Sequence, residues 1–255
     1  MTKKELPQSN RIPSYLYNAE CTTTMRGFAN NSIDCIITDP PYNLGLFMHK
    51  RNTNLKKMRE NQFAYAGWDN LESDEWQQNM RLWLQECNRV LKKKGTLVVF
   101  MAIIKVGDII KLAEEAGFYY KTTGIWHKTN PMPRNMRIQY VNSTECWIYF
   151  VNEGTSGTFH NNGKVCHDFM ESSVCPSSEK RFGKHPTQKP LSIMKQLIET
   201  LTNPDDIVLD SFMGSGSTCV AAKQLGRRYI GIELNEEYYN IAKARLNALE
   251  KNDCR

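Results

Sequence analysis

No apolar run in this 255-residue chain is long enough to cross a bilayer. The opening Met1-Thr2-Lys3-Lys4-Glu5 is polar, unlike a secretory leader, so a cytoplasmic protein is expected. Internal repeats and low-complexity tracts are lacking, which argues against a solenoid. The eight cysteines include no Cys-x-x-Cys pair. His160, Cys166, His167 and Cys175 match no zinc-ligand spacing, so no metal is expected and the thiols read as reduced. There is no Gly-Lys-Ser/Thr phosphate loop either. Charge of one sign is not in great excess: 33 Lys and Arg against 27 Asp and Glu leave +6, a mild basicity that suits a polyanionic partner without proving one.

Short apolar runs alternate with helical periodicity. Tyr15 to Tyr17, Asp34 to Thr38, Thr96 to Phe100, Thr144 to Val151, Ile207 to Leu209 and Tyr229 to Ile232 read as strands. Their near-continuous apolarity is that of strands covered on both faces. Between them, Trp76, Met80, Trp83, Cys87, Val90 and Leu91 recur at helical spacing, as do Ile109, Ile110, Ala113 and Ala116 ahead of Gly117. Ile193, Leu197, Ile198 and Leu201 form a third stripe, and Tyr238, Ile241, Ala242, Arg245, Leu246 and Leu249 the last. The alternation predicts an α/β fold with a mostly parallel sheet and helices on both faces. The chain reads as a single domain, 1–255. Two polar stretches, 43–74 and 152–184, are too long for plain connections, and loops of that length usually carry function.

Asp210-Ser211-Phe212-Met213-Gly214-Ser215-Gly216-Ser217-Thr218 follows a strand and opens a helix. Gly214 and Gly216 allow a tight turn and close approach to a ligand. Glu233 ends the next strand, where an acidic side chain can accept hydrogen bonds from ribose hydroxyls. The third glycine of the dinucleotide fingerprint is missing. The ligand therefore reads as a nucleoside without a pyrophosphate, which points to S-adenosylmethionine over NAD.

Asp39-Pro40-Pro41-Tyr42 directly follows the strand ending at Thr38. Two prolines cannot continue a central strand, so they form a stiff stub at its carboxyl end, where α/β proteins keep their sites. An acid, a fixed carbonyl and an aromatic ring are thereby held together. Methylation of a nucleobase amine needs this trio. The exocyclic nitrogen's lone pair is delocalised into the ring. Asp39 and the Pro40 carbonyl can each accept one N–H, favouring a more tetrahedral nitrogen where charge develops in the transition state. Tyr42 would stack on a base extruded from the duplex.

At these residues the chain resembles the β-class DNA amino-methyltransferases of restriction–modification systems, the adenine-N6 and cytosine-N4 enzymes. The order of Asp39–Tyr42 before Phe212–Gly216 carries the resemblance. So do Trp126-His127-Lys128-Thr129-Asn130-Pro131-Met132-Pro133, Ser143-Thr144-Glu145 and His185-Pro186-Thr187-Gln188-Lys189-Pro190. It implies a Rossmann-like, seven-stranded, circularly permuted sheet in which Tyr15–Tyr17 lies beside the Glu233 strand.

The resemblance implies these roles. Asp39, Pro40, Pro41 and Tyr42 form the catalytic tetrad. Glu20, Cys21, Asp39, Thr187, Lys189, Asp210, Phe212, Met213, Gly214, Ser215, Gly216, Ser217, Thr218 and Glu233 hold the cofactor, with Thr187 and Lys189 at the methionine end. Residues 152–184 are a target-recognition insertion and 43–74 a loop closing on base and DNA. Lys50, Arg51, Trp68, Asn130, Arg134, Arg137, Lys180 and Arg181 are DNA-contact candidates, and Lys164 and Lys184 could also meet phosphates. DNA is the implied partner, with a homodimer and a cognate restriction endonuclease also expected. Asp at position 39 favours adenine N6; cytosine N4 and RNA stay open as alternatives. No covalent intermediate is expected, since Cys35 falls in a strand and Cys219 in a helix. A dinucleotide-dependent oxidoreductase would leave the tetrad unexplained, and a non-catalytic DNA-binding subunit would commonly have lost it.

Overall fold

The computed structural model describes residues 14–44, 71–131 and 140–253. One eight-stranded mixed sheet runs through it, in the order β1-β8-β7-β2-β3-β5-β4-β6. The strands are β1 (Tyr15–Asn18), β2 (Ile33–Thr38), β3 (Leu91–Met101), β4 (Phe118–Lys128), β5 (Thr144–Asn152), β6 (Phe169–Ser172), β7 (Ile207–Asp210) and β8 (Arg228–Glu233). Among the described residues the helices are α1 (Cys21–Met25), α2 (Ser73–Val90), α3 (Val106–Glu115), α4 (Leu191–Leu201), α5 (Ser217–Gln224) and α6 (Glu236–Asp253). No helix among them is long and apolar enough to cross a membrane.

Side-chain alternation divides the apolar strands between two cores. Ile36, Leu97, Val99, Leu209 and Ile230 face one side, packed with α1, α2 and α3 through Met25, Trp76, Met80, Trp83 and Ile109. Cys35, Ile37, Val98, Phe100 and Val208 face the other, packed with α4, α5 and α6 through Ile193, Leu197, Val220 and Leu246. Central strands covered on both faces have no polar side to show, which is why their sequences lack alternation.

The sheet has eight strands where the resemblance implied seven. Two of them, β4 and β6, are not among the six segments that the patterning named. β4 carries Lys121, Thr122 and Thr123 among its apolar residues, and only Phe118, Gly124 and Trp126 are buried along it. β6 is four residues long and pairs parallel with β4, Ile125 opposite Phe169. Part of 152–184 therefore belongs to the sheet. Leu91, placed in a helical stripe by its spacing, is the extended residue that follows α2 and opens β3.

The permutation is as expected: β1 pairs parallel with β8, Tyr15 opposite Ile230 and Asn18 opposite Glu233. Strands β1, β8, β7, β2 and β3 are mutually parallel, so their carboxyl ends share one edge. Strand order runs outward from the β2–β7 pair in both directions. That pair is the topological switch point, where open α/β sheets form their ligand crevice.

Candidate active site

Two loops leave the sheet at the switch point. β2 and β7 pair with Cys35 opposite Val208 and Ile36 opposite Leu209, so Thr38 comes level with Ser211. The Thr38 hydroxyl donates to Asp210 Oδ1 at 2.8 Å and accepts from the Phe212 amide at 3.2 Å. Trp83 Nε1 reaches over from α2 to donate to Ser211 Oγ at 3.0 Å, and its ring meets Phe212 edge-on. The exits at Asp39 and Phe212 are thus cross-linked by side chains. Asp210 is buried, and burial pushes its carboxyl up to about 6 against the hydrogen bonds it accepts.

The glycine loop turns through left-handed backbone at Gly214 (φ 51°) and Gly216 (φ 77°). Each glycine also packs against protein. A Cβ at Gly214 would lie 2.9 Å from His185 Nε2, and one at Gly216 2.8 Å from the Ala242 Cβ. Glu233 Oε2 accepts from the Gly214 amide at 2.9 Å and Oε1 from the Asn235 amide at 2.7 Å. Burial nonetheless raises the Glu233 pKa. Ser215 and Ser217 receive the buried Arg245 guanidinium from α6, with Nη1 2.6 Å from the Ser215 carbonyl. The Ser217 hydroxyl donates to the Lys189 carbonyl at 2.8 Å, which ties the loop to the His185–Pro190 block. Met213 and Thr218 are buried beneath the loop.

At the tetrad, Tyr42 donates its hydroxyl to Asp39 Oδ1 at 2.5 Å, and Trp76 Nε1 donates to the Pro41 carbonyl at 3.3 Å. Asp39 Oδ2 pairs with the Lys189 ammonium. That ammonium also lies 3.1 Å from Glu145 Oε2 at the start of β5, and Glu145 Oε1 pairs with Lys128 of β4 at 2.5 Å. The Lys189 ammonium stands 5.1 Å from the centre of the Phe100 ring. Burial raises the Asp39 pKa, Lys189 opposes it, and the net direction is upward.

The other expected site residues take these places. Lys189 reaches carboxylates of the tetrad side, whereas Thr187 is exposed. Glu20 caps α1, accepting from the Thr22 and Thr23 amides at 2.8 and 2.6 Å. Next to it, Cys21 is buried at the start of α1. Asn130 Oδ1 accepts from the Val174 amide at 2.8 Å and so pins the 152–184 segment to the end of β4. Arg181 is exposed and stacks over Phe182, while Lys180 ends a short 3-10 turn, Ser177–Lys180. Lys50, Arg51, Trp68, Arg134 and Arg137 lie outside the described residues, as does most of 43–74. Cys35 and Cys219 are fully enclosed, and burial pushes both thiols up, away from the nucleophilic thiolate.

Sequence reasoning gave no role to Thr38, Trp83, Lys128, Glu145 or Arg245. Lys128 and Glu145 carried a signal, since both lie in segments that carry the resemblance, at the end of β4 and the start of β5.

The donor set fits a nucleoside lacking phosphates. A carboxylate, Glu233, rests on the loop amide that a phosphate would need, and Phe212 adds an aromatic face. Comparison with known proteins agrees. Residues 33–244 match the family model of the N6/N4 methyltransferases, described as DNA methylase. The type II methyltransferase M2.LlaDCHI of Lactococcus lactis subsp. cremoris is 33% identical over 257 residues, covering 97% of this chain and 93% of the relative. M.HinfI of Haemophilus influenzae is also 33% identical, over 95% of this chain and 71% of its own length. Among solved structures, the M1.HpyAVI–SAM complex superposes with a TM-score of 0.70 at 32% identity, over 91% of this chain and 98% of the other. The cytosine-N4-specific PvuII DNA methyltransferase shares the fold, with a TM-score of 0.74 at 20% identity over 95% and 89% of the two chains.

Proposed function

The chain belongs to the DNA methylase family of N6/N4 methyltransferases, and from that premise we propose that it methylates adenine N6 of a base flipped out of DNA. Bound at the glycine loop, S-adenosylmethionine supplies a sulfonium methyl. The chain's own residues orient the acceptor. Asp39 and the Pro40 carbonyl take the two N–H groups, which draws the amine lone pair out of the ring. Tyr42 stacks on the base. Glu233 holds ribose hydroxyls, while Asp210, Phe212, Met213, Ser215, Ser217 and Thr218 shape the loop beside them. Glu20 and Cys21 lie toward the cofactor's adenine, since Asn18 stands opposite Glu233. Lys180 and Arg181 meet phosphates. A homodimer and a cognate restriction endonuclease belong to the same reading.

One observation carries the proposal. The tetrad and the glycine loop leave neighbouring parallel strands on one edge, joined through Thr38 and Asp210. The adenine assignment follows from the resemblance, which links aspartate at the first tetrad position, here Asp39, to adenine. Incubation with radiolabelled cofactor and DNA, followed by nucleoside analysis, tests this. N6-methyladenine is expected. N4-methylcytosine as the sole product overturns the adenine assignment, and label in RNA alone overturns the DNA one.

A further inference from the structure

The Lys189 ammonium bridges two carboxylates from different parts of the fold: Asp39 at the β2 exit and Glu145 at the start of β5. The lysine is 6% exposed at its side chain, against 23% for Asp39. Asp39 is thus the more accessible member of the pair. Glu145 Oε2 is enclosed, and the Lys189 ammonium 3.1 Å away is its partner. A buried carboxylate oxygen is costly to leave unpaired, so it can take the full hydrogen bond of an ammonium it already pairs with.

We propose that Lys189 is a positioning residue for methyl transfer. It keeps Asp39 ionised in the free enzyme and yields one of that carboxylate's oxygens to the target amine by turning its hydrogen bond to Glu145. The inference rests on Asp39 being the amine acceptor.

A carboxylic acid in a desolvated pocket tends to keep its proton, and a protonated Asp39 would offer one poor acceptor and one donor. An adjacent ammonium opposes that tendency. The same ammonium bound to Asp39 alone would compete with the amine for the oxygen it needs. Glu145 supplies a second resting place, and it is itself balanced by Lys128 at 2.5 Å. The exchange conserves protons and needs no travel of the ammonium, which already lies 3.1 Å from Glu145 Oε2. Among the described residues, the charged and titratable groups bearing on Asp39 are Lys189, Glu145 and Tyr42, with Asp210 on the neighbouring strand.

The two partners should shift the pH dependence in opposite directions. Single-turnover methylation by the full-length protein is followed from acid to alkaline pH, with cofactor affinity measured separately by calorimetry. In Lys189→Gln the acid limb of the rate profile should move up by roughly 1–3 pH units, as expected for loss of an adjacent opposite charge. Its rate should recover as pH rises, with cofactor affinity within a few-fold. Glu145→Gln removes a negative neighbour, so its acid limb should move down. Lys189→Arg keeps the charge and should keep the wild-type limb at a reduced rate. A pH-independent loss in Lys189→Gln, or a loss that resides wholly in cofactor affinity, overturns the proposal; so does an upward shift in Glu145→Gln, which stands even if the lysine variant fails to fold. A wild-type protein that methylates no base would instead refute the underlying functional reading.

Discussion

The hydroxyl of Thr38 donates to the carboxylate of Asp210 at 2.8 Å. These residues are 172 positions apart in sequence and sit at the ends of neighbouring parallel strands. Their bond fixes the distance between the loop that carries the candidate acceptor groups and the loop that carries the glycines. Catalysis by positioning depends on such fixed distances, because small misplacements between reacting groups cost large factors in rate.

Thr38→Val keeps the shape of the side chain and removes its hydroxyl. Asp210 loses a donor and the Phe212 amide an acceptor, both in buried or part-buried surroundings. A destabilisation of about 1–3 kcal/mol is expected, the cost of leaving such groups unpaired. Thermal unfolding measures it, and calorimetry should show weaker cofactor binding in the same variant. An unchanged melting temperature would mean the bond ties nothing.

Asp39→Ala should remove methyl transfer while leaving cofactor affinity within a few-fold. Deleting one group placed for the transition state costs roughly 100- to 1000-fold in rate. Lys189 retains Glu145 as a partner, so the fold should survive. Turnover near the wild-type rate would show that Asp39 is not the amine acceptor.

Asp210 should leave a mark on stability against pH. Burial raises its pKa in the folded protein to about 6 from an ordinary 3.8. The folded state therefore binds the proton more tightly, and stability falls as pH rises between those values. Asp210→Asn does not titrate and keeps an oxygen for Thr38 and the Phe212 amide. Relative to this variant, the wild type should lose on the order of 2–3 kcal/mol between pH 4 and pH 7. The comparison also cancels His185, whose burial pushes its pKa down to about 4 and acts in the opposite sense. Parallel denaturant titrations of the two proteins supply the numbers, and a constant gap across this range would contradict the assignment.

What the sequence revealed follows from which physical signals are local. The central strands were legible because both faces are buried, which leaves continuous apolar runs such as Cys35–Ile37 and Leu97–Phe100. The pairing of Tyr15–Asn18 with β8 was legible from the order of the motifs, since a strand was missing after Glu233. β4 and β6 were not: they lie at the far edge, where Tyr119 and Phe169 are exposed and polar residues interrupt the pattern. The tetrad and the glycine loop were visible as compact motifs. The Thr38–Asp210 bond and the Lys189–Glu145 ion pair join residues far apart in the chain, and no local spacing encodes them. Lys189 illustrates the difference: its motif marked it as a site residue, but its pairing with Asp39 and Glu145 could be read only from the fold.

The β2 and β7 exits are expected to build one pocket serving both the methyl donor and the acceptor amine. A crystal structure of the protein with S-adenosylmethionine tests it most directly. The expected result is a cofactor whose ribose hydroxyls meet Glu233 and whose methyl group points into the space in front of Asp39 and Pro40. A cofactor held at another edge of the sheet, or one whose methyl is directed away from Asp39, would contradict it.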